Sequence, residues 1–130
     1  MHTYGGAALI FDYGAWRSKG DTFQAIKHHK MVNPLTNPGA SDITAHVDFE
    51  AISQSARPAI ASRLTTQGVF LERLGITERA KALAQRLTGT ALDTHIAAHR
   101  RLTHPEEMGN LFKVIGIAPK NNLLPFGVDQ

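Results

Sequence analysis

The stretch Gly6-Ala-Ala-Leu-Ile-Phe-Asp-Tyr-Gly14 decides the fold class. Its apolar residues form a short continuous run over residues 7–13, which is typical of a strand buried on both faces of a parallel sheet. Glycines before and after the run mark its ends. Asp12 is therefore expected near the carboxyl end of the strand, and in open α/β sheets that end faces the ligand crevice.

Two further strands are predicted in the second half of the chain. Residues 59–66 alternate between apolar and polar positions, which indicates a half-buried strand. Residues 111–118 form the last strand, and Lys113 on one face favours an antiparallel or edge position over a central one. Three to four helices are predicted between these two strands. Because three strands make a poor independent sheet, the chain looks like one half of a doubly wound α/β sheet.

A long segment, residues 14–47, separates the first strand from the first well-marked helix. It is predicted to be an irregular loop, apart from a short helix over about Thr22–His28, because Asp21 and Gln24 have the spacing of a capping box. Loops of this length usually act as lids or binding loops, so we expect this segment to carry function. Asp48 is the predicted N-cap of the helix that follows, over Phe49–Ala56. The tail over residues 119–130 is predicted to be loose.

Composition excludes several classes of protein. The 130 residues fit one domain or a piece of a larger one. Charged residues make up 19% of the chain, against about 25% in an average domain, which hints that part of the surface is normally covered. The chain has no cysteine, so disulfides and thiol chemistry are excluded. No apolar run approaches the ~18 residues of a membrane span, and no secretory signal is visible. A net charge of +3 is too small to indicate a nucleic-acid binder.

Six separated blocks of the sequence keep a common order and spacing. They are GAALIFDYG (6–14), GDTFQA (20–25) followed by His29, PGASDITAHVDF (38–49), TQGVFL (66–71), LGI (74–76) and MGNLFKV (108–114). In these blocks the chain resembles the C-terminal part of the MidA-like methyltransferases, a family that includes the mitochondrial complex I assembly factor with arginine methyltransferase activity. The resemblance implies an α/β fold: the C-terminal half of a Rossmann-like class I methyltransferase, with strands five to seven, helices and an incomplete sheet. Residues 7–13, 59–66 and 111–118 would be those strands, the last of them antiparallel.

The same resemblance implies a function. The chain would be part of an S-adenosylmethionine-dependent protein arginine methyltransferase acting on a respiratory complex I-type subunit, with residues 14–47 on the substrate side of the cleft. The family's Gly-rich cofactor loop and ribose-binding acid would lie upstream, so no cofactor-binding residue is expected in this chain. The missing N-terminal half would act in cis or in trans, and the 130 residues alone would be inactive. The expected compartment is the bacterial cytoplasm or, in a eukaryote, the mitochondrial matrix.

Three residues are candidates for catalysis: Asp12, Tyr13 and His46. Asp12 could accept hydrogen bonds from a guanidinium group, since carboxylates bind arginine in a bidentate way. It could equally organise the following loop through backbone N–H groups. His46 could orient a substrate or act as a base near neutral pH, although a lone histidine is more often structural.

The candidates for substrate binding lie in the long segment and after the second strand. They are Asp21, Thr22, His29, Asp42, Thr44, Asp48 and Gln67. Asp21, Asp48 and Gln67 can also be explained as helix caps. His95 and His99 have the i, i+4 spacing of two metal ligands, but no third ligand has a defined spacing, so no metal site is predicted.

Two other kinds of protein remain possible from the sequence. The first is a non-catalytic interaction or dimerisation module, in which the low-charge sheet docks on a partner domain or on a second copy. The second is a small basic RNA-binding protein. That reading ranks last, because aromatic residues make up only 7% of the chain and no stacking motif appears.

Overall fold

The computed structural model describes residues 4–129. The strands are β1 (Ala8–Ala15), β2 (Gln24–Lys27), β3 (Lys30–Val32), β4 (Asp42–Thr44), β5 (Val47–Asp48), β6 (Ile60–Ala61), β7 (Thr65–Thr66) and β8 (Phe112–Ala118). The helices are α1 (Phe49–Ser55), α2 (Gln67–Arg73), α3 (Ile76–Ala84) and α4 (Gly89–Thr103), and a π-helical turn covers Pro105–Gly109. The described residues contain no helix with both the length and the apolarity needed to cross a bilayer.

The main sheet has the order β5-β1-β8-β6, with β7 also paired to β8. The first and last strands run antiparallel over six residue pairs, from Ala8 opposite Ile117 to Tyr13 opposite Phe112. β6 and β7 are antiparallel to β8, so they run in the same direction as β1. The predicted antiparallel seventh strand is therefore confirmed. The edge position suggested by Lys113 is wrong, because β8 is paired on both sides.

Strand alternation divides the central sheet into two faces. Phe11 and Tyr13 share one face with Val114, and the ring of Phe70 from α2 packs edge-on against Phe11 at 5.0 Å. The opposite face carries Ile115 and Ile117 of β8. Val114 and Ile115 are fully buried, one on each face, so β8 is the centre of the core.

The sheet is incomplete on the outer side of β1. Within the described residues, only Gly14 and Ala15 pair there, with Val47 and Asp48 of the parallel strand β5. Residues 8–13 therefore present an unpaired edge. Leu9 and Phe11 are 40% and 42% exposed, which is high for large apolar side chains in the middle of a sheet. The predicted incomplete α/β sheet is confirmed.

Two predicted features of the long segment differ from the structure. The short helix over Thr22–His28 is wrong: β2 and β3 form a hairpin there, and β4 completes a three-stranded antiparallel sheet of order β3-β2-β4. The capping-box spacing is instead an Asx turn, in which the Asp21 carboxylate accepts from the N–H of Phe23 at 2.9 Å. Because Gln24-Ala25-Ile26-Lys27 is too short to show a period, cross-strand pairing decides its conformation.

The other predicted elements have clear counterparts. α1 begins where expected, with Asp48 as its N-cap, and the 59–66 strand is present as β6 and β7 with a break between them. The tail is not loose. Asp129 forms an ion pair with Arg73 at 2.7 Å, and Gly127 lies directly against the ring of Phe70. The tail therefore covers the face of the sheet that carries Gly116, whose neighbours are Pro125 and Val128.

We expect Ile115→Ala to lower the free energy of unfolding by about 2–5 kcal/mol, because it leaves a cavity at a fully buried position. Ile96→Ala on α4 is the matched control, since Ile96 is 55% exposed and should lose less than about 1 kcal/mol. Urea denaturation followed by circular dichroism measures both. Equal losses in the two variants would contradict the placement of the core at β8.

Candidate functional site

The carboxyl end of β1 brings the candidate catalytic residues to one region but places them on opposite faces. Asp12 lies opposite Lys113, and Tyr13 lies opposite Phe112. Alternation therefore directs Asp12 and Tyr13 to different sides of the sheet. Sequence reasoning treated the two residues as one group. The structure instead has a carboxylate on one side of the strand end and an aromatic cluster on the other.

The aromatic cluster consists of Tyr13, His46 and Phe112. The Tyr13 ring meets the His46 ring and the Phe112 ring edge-to-face, with centroids 5.8 Å apart in both pairs. Edge-to-face contacts are the favoured arrangement of aromatic pairs. Phe112 was missed from the sequence, since only the antiparallel register of β1 and β8 places it opposite Tyr13.

His46 is held in position by the long segment. Its backbone N–H donates to the hydroxyl of Thr22 at 3.0 Å, while its ring is exposed to solvent. Thr22 precedes β2, and His46 lies between β4 and β5. The bond therefore ties the small sheet to the end of β1, and Thr22 has a structural role at this contact.

The Asp12 carboxylate has one oxygen engaged and one available. Oδ1 accepts from the backbone N–H of Tyr13 at 2.8 Å. Within residues 4–129, Oδ2 has no hydrogen-bond donor, and the neighbouring Lys113 ammonium donates instead to the carbonyl oxygens of Asn110 and Leu111. Burial lowers the pKa of Lys113. Asp12 can thus accept a further hydrogen bond from a bound cation.

Asp48 is a structural residue at the start of α1. Its two carboxylate oxygens accept from the backbone N–H groups of Ala51 at 2.9 Å and Ser18 at 3.1 Å. These bonds hold the pKa of Asp48 below its usual value, because they stabilise the charged form. Both oxygens are therefore engaged by the protein, which favours the N-cap explanation over substrate binding.

A second link between β1 and α1 was not found from the sequence. Arg17 forms a bidentate pair with Glu50, at 2.6 and 2.8 Å, and the hydrogen bond from Arg17 is the main cause of a lowered Glu50 pKa. The backbone N–H of Glu50 also donates to the carbonyl of Trp16 at 2.8 Å. The chain leaving β1 is therefore fastened to the first turn of α1.

The remaining candidates do not gather at this site. Gln67 is buried and donates to the carbonyl of Leu102 at 2.9 Å, so it joins α2 to the end of α4. His29 lies at the tip of the β2–β3 hairpin. Asp42 and Thr44 lie on β4 of the small sheet, opposite Ile26 and Gln24.

His95 and His99 serve helix packing. The His95 ring bonds to the carbonyl of Ala80 at 3.0 Å, and the His99 ring bonds to the hydroxyl of Thr77 at 3.0 Å. Both contacts join α4 to α3. Across the described part of the chain, no group of three or more potential ligand side chains could hold a metal ion.

The described residues do not form a cradle for a nucleotide-like cofactor. Such a cradle needs backbone N–H groups at a Gly-rich turn between a strand and a helix. β1 is followed by the small antiparallel sheet instead, and the space above Gly14 is filled by the backbone of Val47. Asp12 and Tyr13 can line one wall of a cleft, and the rest of it must come from elsewhere.

Comparison with known proteins identifies the family. The family described as "Putative S-adenosyl-L-methionine-dependent methyltransferase" matches residues 2–69, which is just over half of the chain. The chain belongs to this methyltransferase family. The resemblance noted in the sequence is thereby confirmed, together with the S-adenosylmethionine dependence that the family description states.

The curated relatives that the chain matches are longer than the chain. It is 38% identical to the mitochondrial protein arginine methyltransferase NDUFAF7 of Xenopus laevis over 126 residues, and 34% identical to the human protein over 121 residues. These matches cover 95% and 92% of this chain but only 29% and 27% of the relatives. The chain thus spans less than a third of the length of these curated relatives.

Solved structures show the same fold. A crystal structure of an uncharacterised Burkholderia thailandensis protein superposes with a TM-score of 0.76 at 29% identity, covering 98% of this chain and 34% of that one. A second structure from the same organism, bound to S-adenosyl-homocysteine, has a TM-score of 0.72 at 30% identity and covers 96% and 33%. The Rossmann-like assignment of the fold is therefore confirmed.

Acid should destabilise the start of α1 through Asp48. A carboxyl whose pKa is lowered on folding stabilises the fold above about pH 4, and this contribution is lost as the pH falls through the folded-state pKa. We expect Asp48→Asn to lower the melting temperature near neutral pH. At about pH 3 the melting temperatures of the variant and the unmodified chain should lie closer together, because asparagine remains a good N-cap.

Asp42→Asn is the control, because Asp42 is exposed on β4 and its carboxylate accepts no hydrogen bond within the described residues. Its melting temperature should follow that of the unmodified chain at every pH. Differential scanning calorimetry between pH 7 and pH 3 measures all three proteins. A constant gap between Asp48→Asn and the unmodified chain would contradict the role given to the charged carboxylate.

Proposed function

We propose that this chain forms the substrate side of an S-adenosylmethionine-dependent protein arginine methyltransferase, and that a respiratory complex I-type subunit is its substrate. The observation that carries the proposal is the end of β1, where a carboxylate with an oxygen free of donors within residues 4–129 lies on one side of the strand and three aromatic rings lie on the other. The carboxyl end of such a strand faces the ligand crevice in open α/β sheets. The arginine methyltransferase relatives support the choice of substrate group.

Asp12 would bind the guanidinium group of the substrate. Charge-assisted hydrogen bonds between a carboxylate and a guanidinium are roughly twice as strong as neutral ones. The bond from the Tyr13 N–H fixes Oδ1 and so limits rotation of the carboxylate, while Oδ2 remains an acceptor. Transfer of a methyl group to an arginine nitrogen requires alignment above all, and a fixed acceptor supplies it.

Tyr13 and His46 lie on the other side of the strand end and would form a wall for the substrate residues next to the arginine. Their rings offer apolar faces and edges for such contacts. Phe112 backs the Tyr13 ring, and Thr22 fixes the backbone of His46. Asp21, His29, Asp42 and Thr44 would then contact more distant parts of the substrate through the small sheet.

The methyl donor would be held by residues outside this chain. In the bound state, S-adenosylmethionine supplies the methyl group, and the described residues offer it at most one wall. The unpaired edge of β1 over residues 8–13 and the exposed Leu9 and Phe11 fit an adjoining parallel strand. We infer that an N-terminal half, in cis or as a separate chain, pairs there. The mitochondrial relatives favour the mitochondrial matrix if the source is a eukaryote. A bacterial source would place the protein in the cytoplasm.

The 130 residues alone should show no saturable binding of S-adenosylmethionine in isothermal titration calorimetry, because residues 4–129 form no Gly-rich cradle. Addition of the upstream half, fused or separate, should restore binding and methyl transfer to an arginine peptide. Light scattering on the chain alone tests the alternative of a dimerisation module. A stable dimer that no upstream segment dissociates would favour that alternative, and a saturable cofactor site on the chain alone would contradict the proposal.

In the reconstituted enzyme, Asp12→Asn should reduce kcat by about tenfold or more while leaving cofactor affinity unchanged, because the neutral amide loses a charge-assisted bond. The substitution keeps the size of the side chain and its bond to the Tyr13 N–H. Asp93→Asn on the exposed face of α4 is the matched control and should retain full activity. Steady-state methyl transfer measures both. Unchanged values of both kcat and KM for Asp12→Asn would exclude Asp12 from substrate binding.

A further inference from the structure

The tip of the β2–β3 hairpin combines three features that each cost stability. His28 and His29, the two central residues of the turn, both have positive φ angles of 49° and 61°. Two-residue hairpin turns of this kind normally use asparagine and glycine, because a side chain with a Cβ is strained in the left-handed region. The flanking Lys27 and Lys30 lie directly opposite each other, and like charges in that position repel.

Among the described residues, no acidic side chain forms an ion pair with the tip. Residues 22–41 contain no acidic residue. Asp42 is the next acid along the chain, but it is paired with Ile26, and strand alternation places it on the opposite face of the sheet from Lys27. The ion pairs within residues 4–129 involve neither lysine of the tip.

Natural proteins keep locally unfavourable residues mainly where function requires them. Asparagine and glycine in place of His28 and His29 would relieve the strained backbone. The chain instead has two histidines between two lysines at this turn. The exposed pair Ile26 and Met31 lies beside the tip on the other face, and Met31 is 62% exposed. The hairpin therefore has a basic tip next to an exposed apolar pair of side chains.

We propose that this hairpin tip, Lys27-His28-His29-Lys30, binds acidic residues of the protein substrate that flank the arginine to be methylated. The inference rests on the proposed function for the nature of the partner, and on charge complementarity for its chemistry. A protein segment is favoured over RNA because the relatives are protein arginine methyltransferases. RNA, whose bases could stack on the two histidine rings, is the competing outcome of the test. The basic tip then selects the substrate, while the end of β1 holds the reacting side chain.

The test measures binding of a peptide, without cofactor or methyl transfer, to the full 130-residue chain. The probe is a short fluorescent peptide with a central arginine flanked by glutamates, and its reference has glutamines in their place. The double variant Lys27→Gln/Lys30→Gln should weaken binding of the acidic peptide about tenfold or more, and high salt should weaken binding to the unmodified chain. The double variant Arg86→Gln/Lys120→Gln removes the same charge elsewhere on the exposed surface and should stay within about twofold.

Three outcomes would overturn the proposal. They are equal affinity for the two peptides, an equal loss of peptide affinity in the control variant, and tighter binding of single-stranded RNA of matched length than of the acidic peptide. Because no methyl transfer is measured here, these outcomes do not test the proposed function, which has its own experiment. Methyl transfer by the reconstituted enzyme, without binding of the acidic peptide, would contradict the role of the hairpin tip but not the proposed function.

A second variant tests the strained turn. His28→Asn/His29→Gly should raise the melting temperature of the chain, because both residues tolerate positive φ. The same variant should weaken acidic-peptide binding about threefold or more. A higher melting temperature with unchanged peptide affinity would show that the two histidines do not contact the peptide. A lower melting temperature would contradict the backbone strain.

Discussion

The antiparallel pairing of β1 with β8 is the interaction on which the rest of the structure depends. It joins the beginning of the chain to its end over six residue pairs and buries Val114 and Ile115 at the centre of the core. The same register places Phe112 beside Tyr13 and Lys113 beside Asp12. The geometry of the candidate site is therefore a direct result of a contact between residues that are about a hundred positions apart in the sequence.

The central sheet of this chain is open on one side. One edge of β1 is open over residues 8–13, and apolar side chains near it are more exposed than a finished sheet would allow. The relatives are more than three times longer than this chain, and S-adenosyl-homocysteine is bound in one solved neighbour. An open edge, the lack of a cofactor cradle among the described residues and a partial match to longer proteins are all expected under the proposal that the sheet continues in another segment.

Residue type alone could not separate functional from structural roles among the candidate site residues. Asp48 and Gln67 had both a functional and a structural explanation, and hydrogen bonds to Ala51, Ser18 and Leu102 favour the structural one. Asp12 had the same two explanations, and its geometry leaves an oxygen free. The difference cannot be found in the sequence, because it depends on which backbone N–H groups are close in space.

The sequence alone determined the three main strands, the start of α1 and the family, since these follow from local apolar patterns, a capping residue and ordered blocks of residues. Only the tertiary structure decided the conformation of residues 22–48. A segment as short as Gln24-Ala25-Ile26-Lys27 has no periodicity of its own, and it becomes a strand because β3 and β4 satisfy its backbone hydrogen bonds. Tertiary contacts likewise anchored the tail, because the ion pair between Asp129 and Arg73 joins residues that are far apart in the sequence.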